Sequence, residues 1–93
     1  MRKIKLHRRA TKYFRRMPRD RQLQMVADLE EVAALPDIAE HPNISHMQGN
    51  PQGWFRLRVG SYRAVLQPQD EPPEPILYVD YIGPRGDAYR ARD

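Results

Sequence analysis

The sequence predicts an α+β domain: an N-terminal strand, a two-helix hairpin, then a three-stranded antiparallel sheet. Three observations carry this reading. Apolar residues recur at helical spacing from Leu6 to Ala33, alternation brackets Gly60-Ser61, and an apolar run fills Ile76 to Ile82. At 93 residues one domain is expected, spanning residues 1–93 and large enough for a single core. The absence of cysteine excludes disulfides and thiolate metal sites. The basic N-terminus is not followed by a signal-like apolar run, and no stretch approaches the roughly 20 apolar residues of a membrane span, so a soluble cytoplasmic protein is expected.

Ile4 and Leu6 give Met1–Leu6 the weak alternation of a short strand. From His7 the period becomes helical. Leu6, Ala10, Tyr13, Phe14 and Met17 share one face, while Arg8, Arg9, Lys12, Arg15 and Arg16 cover the rest. Pro18 suits the first turn of a second helix, with Asp20 favourable at its positive end. That helix places Met25, Val26, Leu29, Val32 and Ala33 on one side, and Pro36 stops it. The joint apolar face of the two helices needs a partner, and a sheet is available.

Residues 37–52 read as one long loop, because Pro42, Asn43, Gly49, Asn50 and Pro51 punctuate them. His41 and His46 lie here, but without cysteine or a helical i, i+4 pair they form no recognisable metal set, and no metal or other cofactor is expected. Gln67–Pro75, with four prolines and three acids, reads as an exposed acidic hairpin loop rather than a central strand. Ile76–Ile82 is apolar or aromatic on both faces and reads as a central strand. Within it Asp80 needs a partner if buried, and one of the arginines is the expected one.

Gly53–Leu66 reads as a hairpin. Trp54, Arg56 and Arg58 point one way, and Phe55, Leu57 and Val59 point into the core. Gly60-Ser61 supplies the turn, and Arg63 begins the returning strand. Arg56, Arg58 and Arg63 fall within eight residues that contain no acid. Guanidiniums gathered without a counter-charge suit phosphate. The wider charge pattern agrees. Residues 1–21 hold ten Lys or Arg against Asp20 alone, and residues 22–55 hold five acids and no Lys or Arg, so the surface has a positive side suited to nucleic acid or an acidic protein.

The order of elements, together with three short motifs, resembles the RelE/ParE superfamily of bacterial toxins from toxin–antitoxin pairs, and its RelE branch in particular. Gly49 is similar to the end of the family's Leu-x-Gly segment, with Met47 where leucine is usual. Arg56-Leu57-Arg58-Val59-Gly60-Ser61-Tyr62-Arg63 resembles the family's arginine hairpin. Ile82-Gly83-Pro84-Arg85, followed by Tyr89-Arg90, resembles its closing strand and tail. The resemblance implies a RelE-like microbial-RNase-type fold whose basic face enters the ribosomal decoding site and cuts mRNA there. It implies Arg56, Arg58, Arg63, Arg85 and Tyr89 as catalytic residues, with the shorter Arg85-to-Tyr89 spacing making Tyr89 the loosest match. A cognate antitoxin bound in a hetero-oligomer, the ribosome and mRNA are the implied partners.

Metal-free RNA cleavage by the ribose 2′-hydroxyl needs a base, a stabiliser for the anionic phosphorane, and an acid for the leaving oxygen. Arginines meet the middle requirement, each contact being worth roughly 3 kcal/mol. A guanidinium keeps its proton to pH of about 12, so Arg56 and Arg58 are assigned to charge stabilisation. Tyr89 is left for proton transfer, with cations nearby lowering its pKa, or for stacking on a base. Two alternatives stand beside the nuclease: a ParE-like toxin that binds gyrase without cutting nucleic acid, and an inactive member serving as a binding module. Retention of Arg63, Arg85 and Tyr89 argues for the nuclease, since a pure binder would not need that set.

Overall fold

The computed structural model describes residues 1–47 and 53–84. Strand β1 (Lys3–Leu6) leads into helix α1 (Arg8–Arg15) and helix α2 (Arg19–Ala34). A single 3₁₀ turn (Ile38–Glu40) then precedes strands β2 (Ile44–His46), β3 (Phe55–Val59), β4 (Tyr62–Gln69) and β5 (Ile76–Pro84). They form one five-stranded sheet in the order β1-β5-β4-β3-β2, in which β1 is parallel to β5 and every other pairing is antiparallel. The α+β class therefore holds: the expected N-terminal strand joins the expected three at one edge of the same sheet, and β2 is an additional strand at the other edge.

Each helix forms where its sequence has the means to start and stop. The His7 side chain accepts the Arg9 amide at 3.0 Å and caps α1. Pro18 sits at the N-cap of α2, and the helix ends at Ala34, with Leu35 extended before Pro36. Ala10, Met17, Met25, Leu29, Val32 and Ala33 pack on Leu57, Val59, Ala64, Leu66, Leu77, Val79 and Ile82 of the sheet, all buried. Val26, expected in the core, is 39% exposed, because the buried stripe of α2 is narrow and Val26 lies at its border. Among the described residues, no helix is long and apolar enough to cross a membrane.

Two expectations along the chain need correction. Residues 37–52 are not all loop, since Ile44–His46 pairs with β3, Ile44 opposite Leu57. Strand β4 also runs past Gln67 through Pro68 to Gln69, pairing with β5. Proline is accommodated because β3 reaches only to Phe55, opposite Leu66, so beyond that point β4 has an open side that asks for no amide donor.

Asp80 behaves as its burial demands. It is skipped in the register, Leu66 pairing with Val79 and Val65 with Tyr81, which makes it the extra residue of a β-bulge. Its carboxylate accepts from Arg9 at 2.9 Å, and its carbonyl accepts from the same guanidinium at 3.1 Å. At the opposite end of the sheet Arg2 is buried and donates to both oxygens of Asp70, at 2.7 and 2.9 Å, and to the carbonyls of Leu35 and Pro36. This clamp ties β1, the end of α2 and the acidic turn together. The hydrogen bond from Arg2 holds the Asp70 carboxyl below its ordinary range. The stabilisation is therefore present above pH of about 4 and fades as pH falls through the depressed value. Because Asp70 is 52% exposed, Asp70→Asn is expected to cost about 1 kcal/mol or less at neutral pH. Urea unfolding should show that difference shrinking in acid.

Candidate anion-binding site

The site is built on the face of the sheet turned away from the helices. Alternation sends Leu57 and Val59 of β3 into the core and Arg56 and Arg58 to the opposite face. The turn is a two-residue Gly60-Ser61 connection closed by the Val59–Tyr62 pair, and Gly60 takes a φ of 58°, a conformation that glycine adopts without strain. That tight turn fixes the register, and Arg63 comes directly opposite Arg58. Paired residues share a face, so all three guanidiniums extend from one side of the hairpin. They line a cleft of about 190 Å³ together with Pro42, Asn43 and Ser45.

The second wall of that cleft was not legible in the sequence. Ser45 of β2 lies opposite Arg56, and the Asn43 carbonyl accepts the Arg58 amide at 3.0 Å, extending the ladder. The wall is held by His41. Its buried ring accepts the Asn43 amide at Nδ1 (3.1 Å), which leaves Nε2 as the donor to Glu31 of α2 at 3.0 Å. His41, expected to lie in a loop, thus anchors β2 to α2. Three alternating residues, Ile44-Ser45-His46, are too short a signal to stand out between prolines.

Among the described residues, none that lines the cleft is acidic. Arg58 is exposed and Arg56 half-buried, and neither takes part in an ion pair among the described residues. Like charges directly opposite one another in an antiparallel pair are unfavourable, and an anion bound between them removes that cost. Among the described residues, no three His, Asp or Glu side chains gather into a metal-binding group. Arg85, Tyr89 and Gly49 lie outside the described residues.

Tyr81 borders the same face. Its ring folds over Gly83, the residue paired with Arg63, so closely that a Cβ at Gly83 would overlap the phenol. The ring can swing away, since only its far end is met. Gly83→Ala is therefore expected to shift the Tyr81 near-ultraviolet dichroism while leaving the melting temperature within about 5 °C of the parent.

No protein-family model and no curated protein sequence matches the chain. Solved structures do. The fold coincides with that of a chain in the archaeal RelE–RelB complex from Pyrococcus horikoshii (TM-score 0.71, 18% identity, covering 94% of this chain and 98% of that one). It coincides likewise with a chain of the RelB–RelE antitoxin–toxin complex from Methanococcus jannaschii (TM-score 0.69, 15% identity, 95% and 98% covered). These define the fold class: the chain has a RelE-like fold, as the order of elements and the arginine hairpin led us to expect. More particularly, it is similar to a chain of the intact Escherichia coli RelBE toxin–antitoxin complex, with 26% identity and a TM-score of 0.73 over 90% of this chain and 96% of that one.

Proposed function

We propose that this protein is the toxin of a toxin–antitoxin pair and acts as a ribosome-dependent mRNA endonuclease in which arginines, rather than a metal ion, supply the positive charge. One observation carries the reading: Arg56, Arg58 and Arg63 converge on a single cleft, on a fold shared with toxin–antitoxin complexes. Guanidinium donors placed around a phosphodiester stabilise the extra negative charge of the phosphorane that forms when the 2′-hydroxyl attacks. A cleft with openings on a sheet face admits a single strand, whose unstacked nucleotides can be splayed against it.

By the resemblance, Arg85 contributes a further cation and Tyr89 the proton transfer that guanidiniums perform poorly at neutral pH. The partners in this reading are mRNA, the ribosome that presents it, and a cognate antitoxin whose acidic segment covers the basic face. The assignment predicts a cytoplasmic protein. Its test is to add the purified chain to a translating extract and map message ends by primer extension. Codon-phased cuts that require ribosomes support the proposal. Intact message with stalled DNA supercoiling would instead identify a ParE-like gyrase poison, and intact message with neither effect an inactive binding module.

A further inference from the structure

The face that carries the arginines continues beyond them into aromatic side chains. Trp54 precedes Arg56 by two residues and shares its face, and its ring meets that of Tyr78 of β5 edge-on, with centroids 6.2 Å apart and planes inclined by 62°. Both rings are half-exposed, and neither belongs to the core beneath the helices. On the far side of Tyr78 lies Lys5 of β1, its register partner, exposed and without an ion pair among the described residues. Aromatic faces thus stand between Arg56 on one flank and Lys5 on the other.

We propose that Trp54 and Tyr78 form a stacking subsite for one unpaired nucleobase of the RNA strand whose phosphates occupy the arginine cleft. The proposal rests on the function argued above and names a contact which that function does not require. Two strand residues span about 6.6 Å, so a base resting on Trp54 is one nucleotide away from a phosphate held by Arg56. The inclined rings form a corner, one offering its face to a base and the other closing the edge. The Tyr78 phenol is neutral at physiological pH, and burial with the neighbouring Asp80 raises its pKa further, so this wall of the corner adds no charge. Cations flanking aromatic platforms are the general arrangement for gripping single strands, with affinity shared between phosphate attraction and base stacking.

Trp54 is the only tryptophan, so its emission reports on the subsite directly. The experiment titrates the full chain, at low salt, with a short 2′-O-methyl RNA that cannot be cleaved, and with a series carrying one abasic position each, reading Trp54 emission and the anisotropy of an end label. The expected result is quenching by the intact oligonucleotide, loss of quenching for one abasic position only, and about tenfold weaker binding at that position. Trp54→Leu should bind about tenfold more weakly and be indifferent to the abasic site, while Trp54→Phe restores most of the affinity. If the oligonucleotide binds in an Arg58-dependent manner while emission stays constant and Trp54→Leu binds like the parent, the subsite is overturned and the arginine cleft stands. No binding by the parent also overturns it, and message-end mapping then decides separately whether the nuclease reading survives.

Discussion

Replacing Arg58 by alanine is expected to lower ribosome-dependent message cleavage by a factor of about 100–1000 while leaving the fold intact. The size follows from where the charge is needed. A donor that holds the ground-state phosphate and tightens on it as the phosphorane's extra charge develops contributes more to the rate than to substrate binding, so its removal appears in kcat more than in KM. The intact fold follows from the position of Arg58, which is exposed and anchors nothing beneath it among the described residues. The melting temperature should therefore stay within about 5 °C of the parent. Arg58→Lys should recover part of the activity, since it restores the charge but not the planar fork. Binding of a noncleavable RNA by the alanine variant should also lose about one unit of its logarithmic salt slope. A well-folded Arg58→Ala protein that cuts message at the parental rate would remove the arginines from the mechanism.

How much of this could be read beforehand differs from element to element. The core faces of α1 and β3 were legible because both follow their own period without interruption, so Ala10, Leu57 and Val59 are buried where helical spacing and alternation put them, as is Met17 just past the end of α1. The arginine cluster was legible for the same reason, together with a glycine turn that admits only one register. Strand β5 was less so. Strict alternation groups Tyr78, Asp80 and Ile82 on one face, whereas the bulge at Asp80 switches the phase, so that Val79 and then Ile82 reach the core while Tyr78 and Tyr81 face away. That switch depends on Arg9, which is distant in sequence and supplies the partner for the bulged carboxylate. Strand β2 is set in the same non-local way, by His41 reaching Glu31. Arg2 illustrates the limit most plainly: a basic N-terminal residue would ordinarily be read as solvated, yet two backbone carbonyls and Asp70 make a buried seat for it.

The largest effect on stability is expected from Leu66→Ala. Leu66 is fully buried in β4, the middle strand, with Phe55 on one neighbouring strand and Val79 on the other. Its position beside the bulge limits repacking, because β5 is already committed there to presenting Val79 on one side of Asp80 and Ile82 on the other. A cavity opened at this point has sheet on two sides and helices above, and neither layer can close over it without breaking the ladder or the Arg9–Asp80 bond. The cost should be about 3 kcal/mol, within the range for leucine truncation in a rigid core. In a domain of this size that amounts to a fall of roughly 12–24 °C in melting temperature, a large part of the total stability of a small fold. Thermal and urea unfolding measure it directly, with an unchanged urea slope as the sign that the native fold persists. A fall below about 5 °C would show that the helices settle into the gap, and that the layer holding the arginine hairpin in register is softer than its burial implies.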